Sequence, residues 1–129
     1  MSERVWNALV VDDFPDAGEA LVAWLTLEGW RAEYITSAEA ALARIDAQMP
    51  DVLIIEPYLR HGSAMAMAAH VRHRFGAAIW MVAVTGHPRV GDAIAYEPTL
   101  FDRTLIKPGD AQQLRAALRD AQSRSPCSR

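Results

Sequence analysis

The chain has 129 residues, 51% of them hydrophobic, a formal net charge of −3 and a sequence pI near 5.7. That length suits one domain with its own core, and that composition excludes a disordered chain. The mildly acidic balance offers no electrostatic footprint for nucleic acid or a membrane surface, and the single Cys127 excludes an internal disulfide.

The first residues show no basic stretch followed by an apolar one, and no apolar run reaches the roughly 18 residues needed to span a bilayer. The chain is therefore read as a cytoplasmic protein.

Apolar strand-like runs alternate with helical patterns. Residues 5–11 form a short apolar run that ends at Asp12 and Asp13. Residues 16–28 have helical spacing, with Ala17, Leu21, Trp24, Leu25 and Leu27 assigned to one stripe and Gly29 as the stop. Residues 31–35 read as a more polar strand, suited to a sheet edge. Thr36 with Glu39 matches a capping box and Ser37 is a rival cap for the helix that carries Ala40, Ala41, Leu42 and Ile45.

Residues 52–55 are wholly apolar, as expected of a strand buried on both faces, and end at Glu56. Residues 63–75 read as a helix rich in Ala and Met. Residues 78–84 are another apolar run, ending at Thr85. The stretch 86–100 carries at most a short helix over residues 90–96. Residues 102–106 form a fifth strand that ends at Lys107 and Pro108. Asp110 caps a last helix over 111–121, with Leu114, Ala117 and Leu118 inward, and residues 123–129 form a polar tail.

Strands alternating with helices imply a parallel sheet covered on both faces. Right-handed crossovers leave few topologies. The expected fold is an α/β, doubly wound, five-stranded parallel sheet in the flavodoxin-like order 2-1-3-4-5, with the domain over residues 1–122.

In such a sheet all strands end on one edge, where ligands bind. Asp12, Asp13, Glu56, Thr85 and Lys107 would meet there. Neighbouring carboxylates repel unless a cation joins them, and Mg²⁺ or the Lys107 ammonium would serve. The Thr85 hydroxyl and the Lys107 amine would suit phosphoryl oxygens. The set reads as a small metal-assisted phosphoryl-transfer site. By itself the Asp12–Asp13 pair reads equally as charge placed at a helix N-terminus. The ordered set is what points to a shared site.

The acidic pair of ALVVDD, the Thr of MVAVTG, the Lys-Pro of TLIKPGD and the run DVLIIEPYLRHGS carry a resemblance. With them the sequence resembles the response-regulator receiver family of two-component signalling over residues 5–122. FDRTLIKP also resembles receivers attached to hybrid histidine kinases. The resemblance implies that Asp12 and Asp13 hold Mg²⁺, with the backbone carbonyl of Tyr58 as a further ligand. Thr85 would be the switch hydroxyl, and Lys107 would pair with the acceptor carboxylate or its phosphoryl group.

Two positions depart from the pattern. Thr104 stands at the place of the usual switch aromatic, and Glu56 stands where the family phosphorylates an aspartate. The extra methylene moves the carboxylate about 1.5 Å outward, and errors near 1 Å cost about a hundredfold in rate. The expectation is weak Mg²⁺ or Mn²⁺ binding at Asp12 and Asp13, with Glu56 joining directly or through water, and no ordinary phosphorylation of Glu56.

The leading reading is a regulatory protein-interaction module and not an enzyme, atypical or phosphomimetic, with a histidine kinase or another signalling protein as partner. It has no direct nucleic-acid or membrane role, and the sequence leaves its oligomeric state open. The alternative is a metal-dependent phosphatase-like enzyme on a similar sheet. A flavin-binding electron carrier comes third, because DDFPDAG is acidic where a flavin phosphate would sit.

His70 and His73 lie three apart but lack a visible third ligand, so they read as a solvated helix face. His61 and His87 read as loop residues. Met65 and Met67 read as core filler and surface, and Trp6, Trp24, Trp30 and Trp80 as packing residues. Tyr96 and Phe101 are assigned to a partner surface or, for Phe101, equally to burial.

Overall fold

The computed structural model describes residues 4–57, 59, 63–85, 100–106 and 111–124. Five strands, β1 Asn7–Val11, β2 Arg31–Ile35, β3 Val52–Ile55, β4 Trp80–Thr85 and β5 Arg103–Ile106, form one sheet in the order β2-β1-β3-β4-β5. Every pairing is parallel. Helices α1 Pro15–Leu27, α2 Ala38–Ala47, α3 Ala64–Phe75 and α4 Ala111–Gln122 cover its two faces. This is the doubly wound, flavodoxin-like arrangement that the alternation of elements implies.

The central strands are apolar throughout because both of their faces are buried. Alternate side chains go to opposite faces. Leu9, Val11, Leu53, Ile55, Met81 and Ala83 join Ala41, Ile45, Met67 and Val71 of α2 and α3 in one core. Ala8, Val10, Val52, Ile54 and Val82 join Leu25 of α1 and Ala117, Leu118 and Ala121 of α4 in the other. The polar strand β2 lies at the edge, as its composition predicts.

Local signals set the ends of the helices. Pro15 occupies the first turn of α1, where its missing N–H costs nothing. Gly29 follows the helix at φ 93°, and the Trp30 N–H returns to the Leu25 carbonyl at 2.9 Å. Ser37, not Thr36, caps α2, because its hydroxyl accepts the Ala40 N–H at 3.1 Å. Ser63 caps α3 in the same way.

Some expectations shift. Leu27 is 85% exposed and leaves the α1 stripe, since it falls on the outer side of the last turn. The fourth strand starts at Trp80 and includes Thr85, because Gly76–Ala78 forms a 3-10 turn before it. The first strand begins at Asn7, two residues later than its apolar run, and the fifth at Arg103. Of the tryptophans, Trp30 and Trp80 are buried, while Trp6 and Trp24 pack partly buried against the α1/α4 core. Phe101 is buried in the α2/α3 core and is no partner surface. His70 and His73 are exposed. His61, His87, Tyr96, Asp110, the helix expected over 90–96 and most of the polar tail lie outside the described residues.

The amino-terminal edge of the sheet is tied by two aspartates. The Asp51 carboxylate accepts the Asn7 N–H at 2.8 Å and pairs with Arg4. Asp102 accepts the Met81 N–H at 2.8 Å and the Arg72 guanidinium at 2.9 Å. Both help hold the strand register that aligns the opposite edge.

Candidate functional site at the carboxyl edge of the sheet

Register brings the predicted residues together. Val11 pairs with Ile55 in the last step of the β1–β3 ladder, so Asp12 and Glu56 leave neighbouring strands at the same level. The Asp12 N–H donates to the Ile35 carbonyl at 3.1 Å and the Glu56 N–H to the Val11 carbonyl at 2.9 Å. These bonds fix the backbone of both residues beyond the ends of their strands. Thr85 ends β4 opposite Ile106 of β5 and is fully buried.

Asp12 and Glu56 are also buried, while Asp13 is half-buried. A buried carboxylate requires compensating partners. The Asp12 carboxylate accepts the Phe14 N–H at 2.9 Å. That bond is an Asx turn, which aims the chain into α1 just before Pro15. The sequence reading missed this structural duty of Asp12. An Asp three residues ahead of a helix-opening Pro was the signal that could have found it.

The pleat separates the group into two sides. Asp12 and Glu56 continue the rows of Val10 and Ile54, and together with those residues they line one cavity on the α1/α4 face. Thr85 continues the row of Met81 and Ala83, which faces α2 and α3. Thr104 of β5 pairs with Ala83 and is exposed. Tyr58 and Lys107 lie outside the described residues.

The hard carboxylate oxygens of Asp12, Asp13 and Glu56 are the donor type that Mg²⁺ prefers. Among the described residues, no group of three His, Cys, Asp or Glu side chains is close enough to hold a metal ion. A bound Mg²⁺ would thus rest on fewer protein carboxylates plus water and other oxygens, which is its usual habit. Among the described residues, no helix is long and apolar enough to cross a membrane.

No curated protein sequence matches the chain. Solved structures do. A CheY-like response regulator receiver domain from Methylobacillus flagellatus is 28% identical, with 92% of this chain and 99% of that one covered at a TM-score of 0.80. A response regulator receiver protein from Pseudomonas putida is 24% identical over 92% and 99% of the two chains, with a TM-score of 0.81. The response regulator TrrA from Thermotoga maritima, solved in complex with Mg²⁺ and BeF, is 20% identical over 91% and 99%, also at 0.81. The last two show the fold alone. The family model for the response regulator receiver domain matches residues 8–119, from the second residue of β1 to near the end of α4. This chain belongs to the response regulator receiver domain family of two-component signalling.

Proposed function

We propose that this chain is an atypical receiver of a phosphorelay, in which Glu56 occupies the phosphoacceptor position and does not take up phosphate as an aspartate would. The observation that carries the reading is the placement of Glu56 one residue past β3, level with Asp12 and hydrogen-bonded through its N–H to Val11. An aspartate at that backbone position would present its carboxylate about 1.5 Å closer in. The longer side chain must extend past the point of in-line attack or fold back, and either choice is costly in rate.

Mg²⁺ would be held by Asp13 and Asp12, with the Tyr58 carbonyl as a further ligand, and would neutralise phosphoryl charge. Its binding to TrrA supports this by analogy of fold. Asp12 is committed by one oxygen to the Phe14 N–H, so the half-buried Asp13 is the better direct ligand. Lys107, next after the last residue of β5, would neutralise Glu56. Glu56 would then imitate the phosphorylated charge pattern only in part, since a carboxylate lacks the phosphoryl group's extra oxygens and charge.

Thr104 in place of an aromatic leaves no ring to follow Thr85, so the usual coupled movement of the two is not expected. The module acts by presenting a fixed surface to a histidine kinase or another signalling protein. It is a regulatory unit, not an enzyme. Membership of the receiver family leaves the phosphatase-like alternative without a specific observation in its favour.

The test is incubation with acetyl phosphate and Mg²⁺, read by intact mass, on the natural chain and Glu56→Asp. A phosphate adduct is expected only on Glu56→Asp. A stoichiometric adduct mapped to Glu56 in the natural chain would overturn the reading.

A further inference from the structure

Between the end of α1 and the second half of α4 lies a cleft of about 400 Å³. That size falls within the range for small-molecule sites. It opens at the edge of the sheet where the strands begin, because Trp30 in its lining immediately precedes β2. Gly29 turns the chain at φ 93° and the Trp30 N–H returns to the Leu25 carbonyl, which tucks Trp30 under the end of α1. Trp30 and Leu118 are both buried and form the floor.

The rim is charged. Arg115 donates to Glu28 at 2.6 Å across the two helices, and its guanidinium lies 5.7 Å from the centre of the Trp24 ring. Arg119, one turn further along α4, also lines the cleft and is exposed. Its charge acts on Glu28 without a bond to it. Among the described residues Arg119 has no hydrogen-bond or ion-pair partner. On their other side Arg115 and Arg119 line a second hollow with Gln112 and Ala116, so no neighbouring element covers them. The cleft thus sets two guanidiniums against one carboxylate, on a chain whose net charge is −3.

We propose that this cleft is a binding site for a small aromatic carboxylate. A guanidinium offers an edge of N–H donors that fits a carboxylate and a flat face that stacks on aromatic rings. Arg119 has its edge to give, so it would hold the carboxylate. Arg115 commits its edge to Glu28 and stacks by its face on Trp24, within the range of a cation–π contact. A planar ring in the cleft would extend that stack above Trp30 and Leu118.

Charge complementarity selects this occupant. A cation would meet two guanidiniums, and a neutral ligand would forgo the charge-assisted hydrogen bonds. A phosphate dianion would set a second negative charge against Glu28. The site shares neither Asp12 nor Glu56 and does not depend on whether Glu56 accepts phosphate.

The test is a titration of the whole chain with 2-naphthoate, read by NMR at the indole N–H signals of Trp24 and Trp30. Trp80, which does not line the cleft, serves as the internal control. Saturable shifts are expected at Trp24 and Trp30 and none at Trp80. The neutral 2-naphthamide should bind about tenfold more weakly, and cyclohexanecarboxylate about fivefold more weakly for want of a ring to stack. Arg119→Gln changes an exposed residue and leaves the fold intact, and it should lose about tenfold for 2-naphthoate but nothing for 2-naphthamide. The proposal is overturned by absence of saturable shifts, by equal affinity for the amide, or by unchanged 2-naphthoate affinity in Arg119→Gln. Tighter binding of 2-naphthyl phosphate would overturn the choice of a carboxylate. It also falls if the same indoles shift on raising protein concentration alone, which would identify a second copy as the occupant. Phosphate uptake is a separate measurement, so failure here leaves the phosphorelay reading untouched.

Discussion

Glu56 donates its backbone N–H to the carbonyl of Val11 at 2.9 Å, so the β1–β3 ladder runs one residue past its last paired positions. That bond holds Glu56 at the level of Asp12. The two carboxylates then continue adjacent rows of the sheet toward α1 and α4.

The division of labour between the two aspartates is testable. Asp13→Ala should lower Mg²⁺ or Mn²⁺ affinity at least tenfold by calorimetry. Asp12→Ala should weaken metal binding and also cost about 1 kcal/mol, because the Phe14 N–H loses its acceptor. Equal metal affinity in the natural chain and Asp13→Ala would remove Asp13 from the ligand set.

Gly18 is fixed by what lies above it. A Cβ at that position would stand 2.7 Å from Cδ2 and 2.8 Å from Cγ of Tyr34, on the neighbouring strand β2. The ring root cannot swing away as a flexible side-chain end would. Gly18→Ala should therefore destabilise the fold by about 1–3 kcal/mol, although Ala is favoured over Gly in a helix by about 1 kcal/mol. Urea unfolding measures it. The double variant Gly18→Ala, Tyr34→Val should recover part of the loss.

Arg72 joins three segments at the amino-terminal edge. Its guanidinium donates to the Leu100 carbonyl at 2.9 Å, the Gly76 carbonyl at 3.1 Å and the Asp102 carboxylate at 2.9 Å. Asp102 in turn receives the Met81 N–H. Arg72→Met keeps the stem but leaves a partly buried carboxylate and three carbonyls, those of Leu100, Gly76 and Ile79, to find water. A loss of about 2–3 kcal/mol is expected in chemical denaturation. Asp102→Asn, which retains an acceptor for the Met81 N–H, should cost less.

Glu28 and Arg115 bridge α1 and α4 at 2.6 Å. The hydrogen bond from Arg115 holds the Glu28 carboxyl below its ordinary value of 4.5, with the Arg115 and Arg119 charges assisting against some desolvation. A depressed folded value stabilises the native state above the unfolded value, and that contribution disappears as pH falls through the folded value. The stability difference between the natural chain and Arg115→Gln should thus be present at neutral pH and close below pH 4.5. Urea midpoints across an acid series would show it. A difference that persists unchanged in acid would assign the effect to packing on Trp24, whose ring lies 5.7 Å from the guanidinium.

The strands and helices were legible because their signals are local. Wholly apolar runs at 52–55 and 78–84 announce buried strands, Ser37 and Ser63 open helices by accepting an N–H three residues on, and Pro15 and Gly29 mark a helix start and stop by their backbone geometry. Even there, Ser37 and Thr36 were rivals. The choice between them needed the backbone geometry that lets one hydroxyl meet the Ala40 N–H.

The convergence of Asp12, Glu56 and Thr85 at one edge was also legible, because parallel strands must all end on the same side. The sequence alone therefore determined the element order, the edge that carries the polar residues and the identity of that edge's carboxylates. Only the tertiary structure decided which face each of them joins. The pleat sends Asp12 and Glu56 toward α1 and α4, and Thr85 toward α2 and α3. It alone placed Asp102 against Arg72, which is 30 residues away. It alone left a cavity between α1 and α4. Such features depend on distances between elements remote in sequence, and side-chain identity along one element carries no measure of the gap to the next.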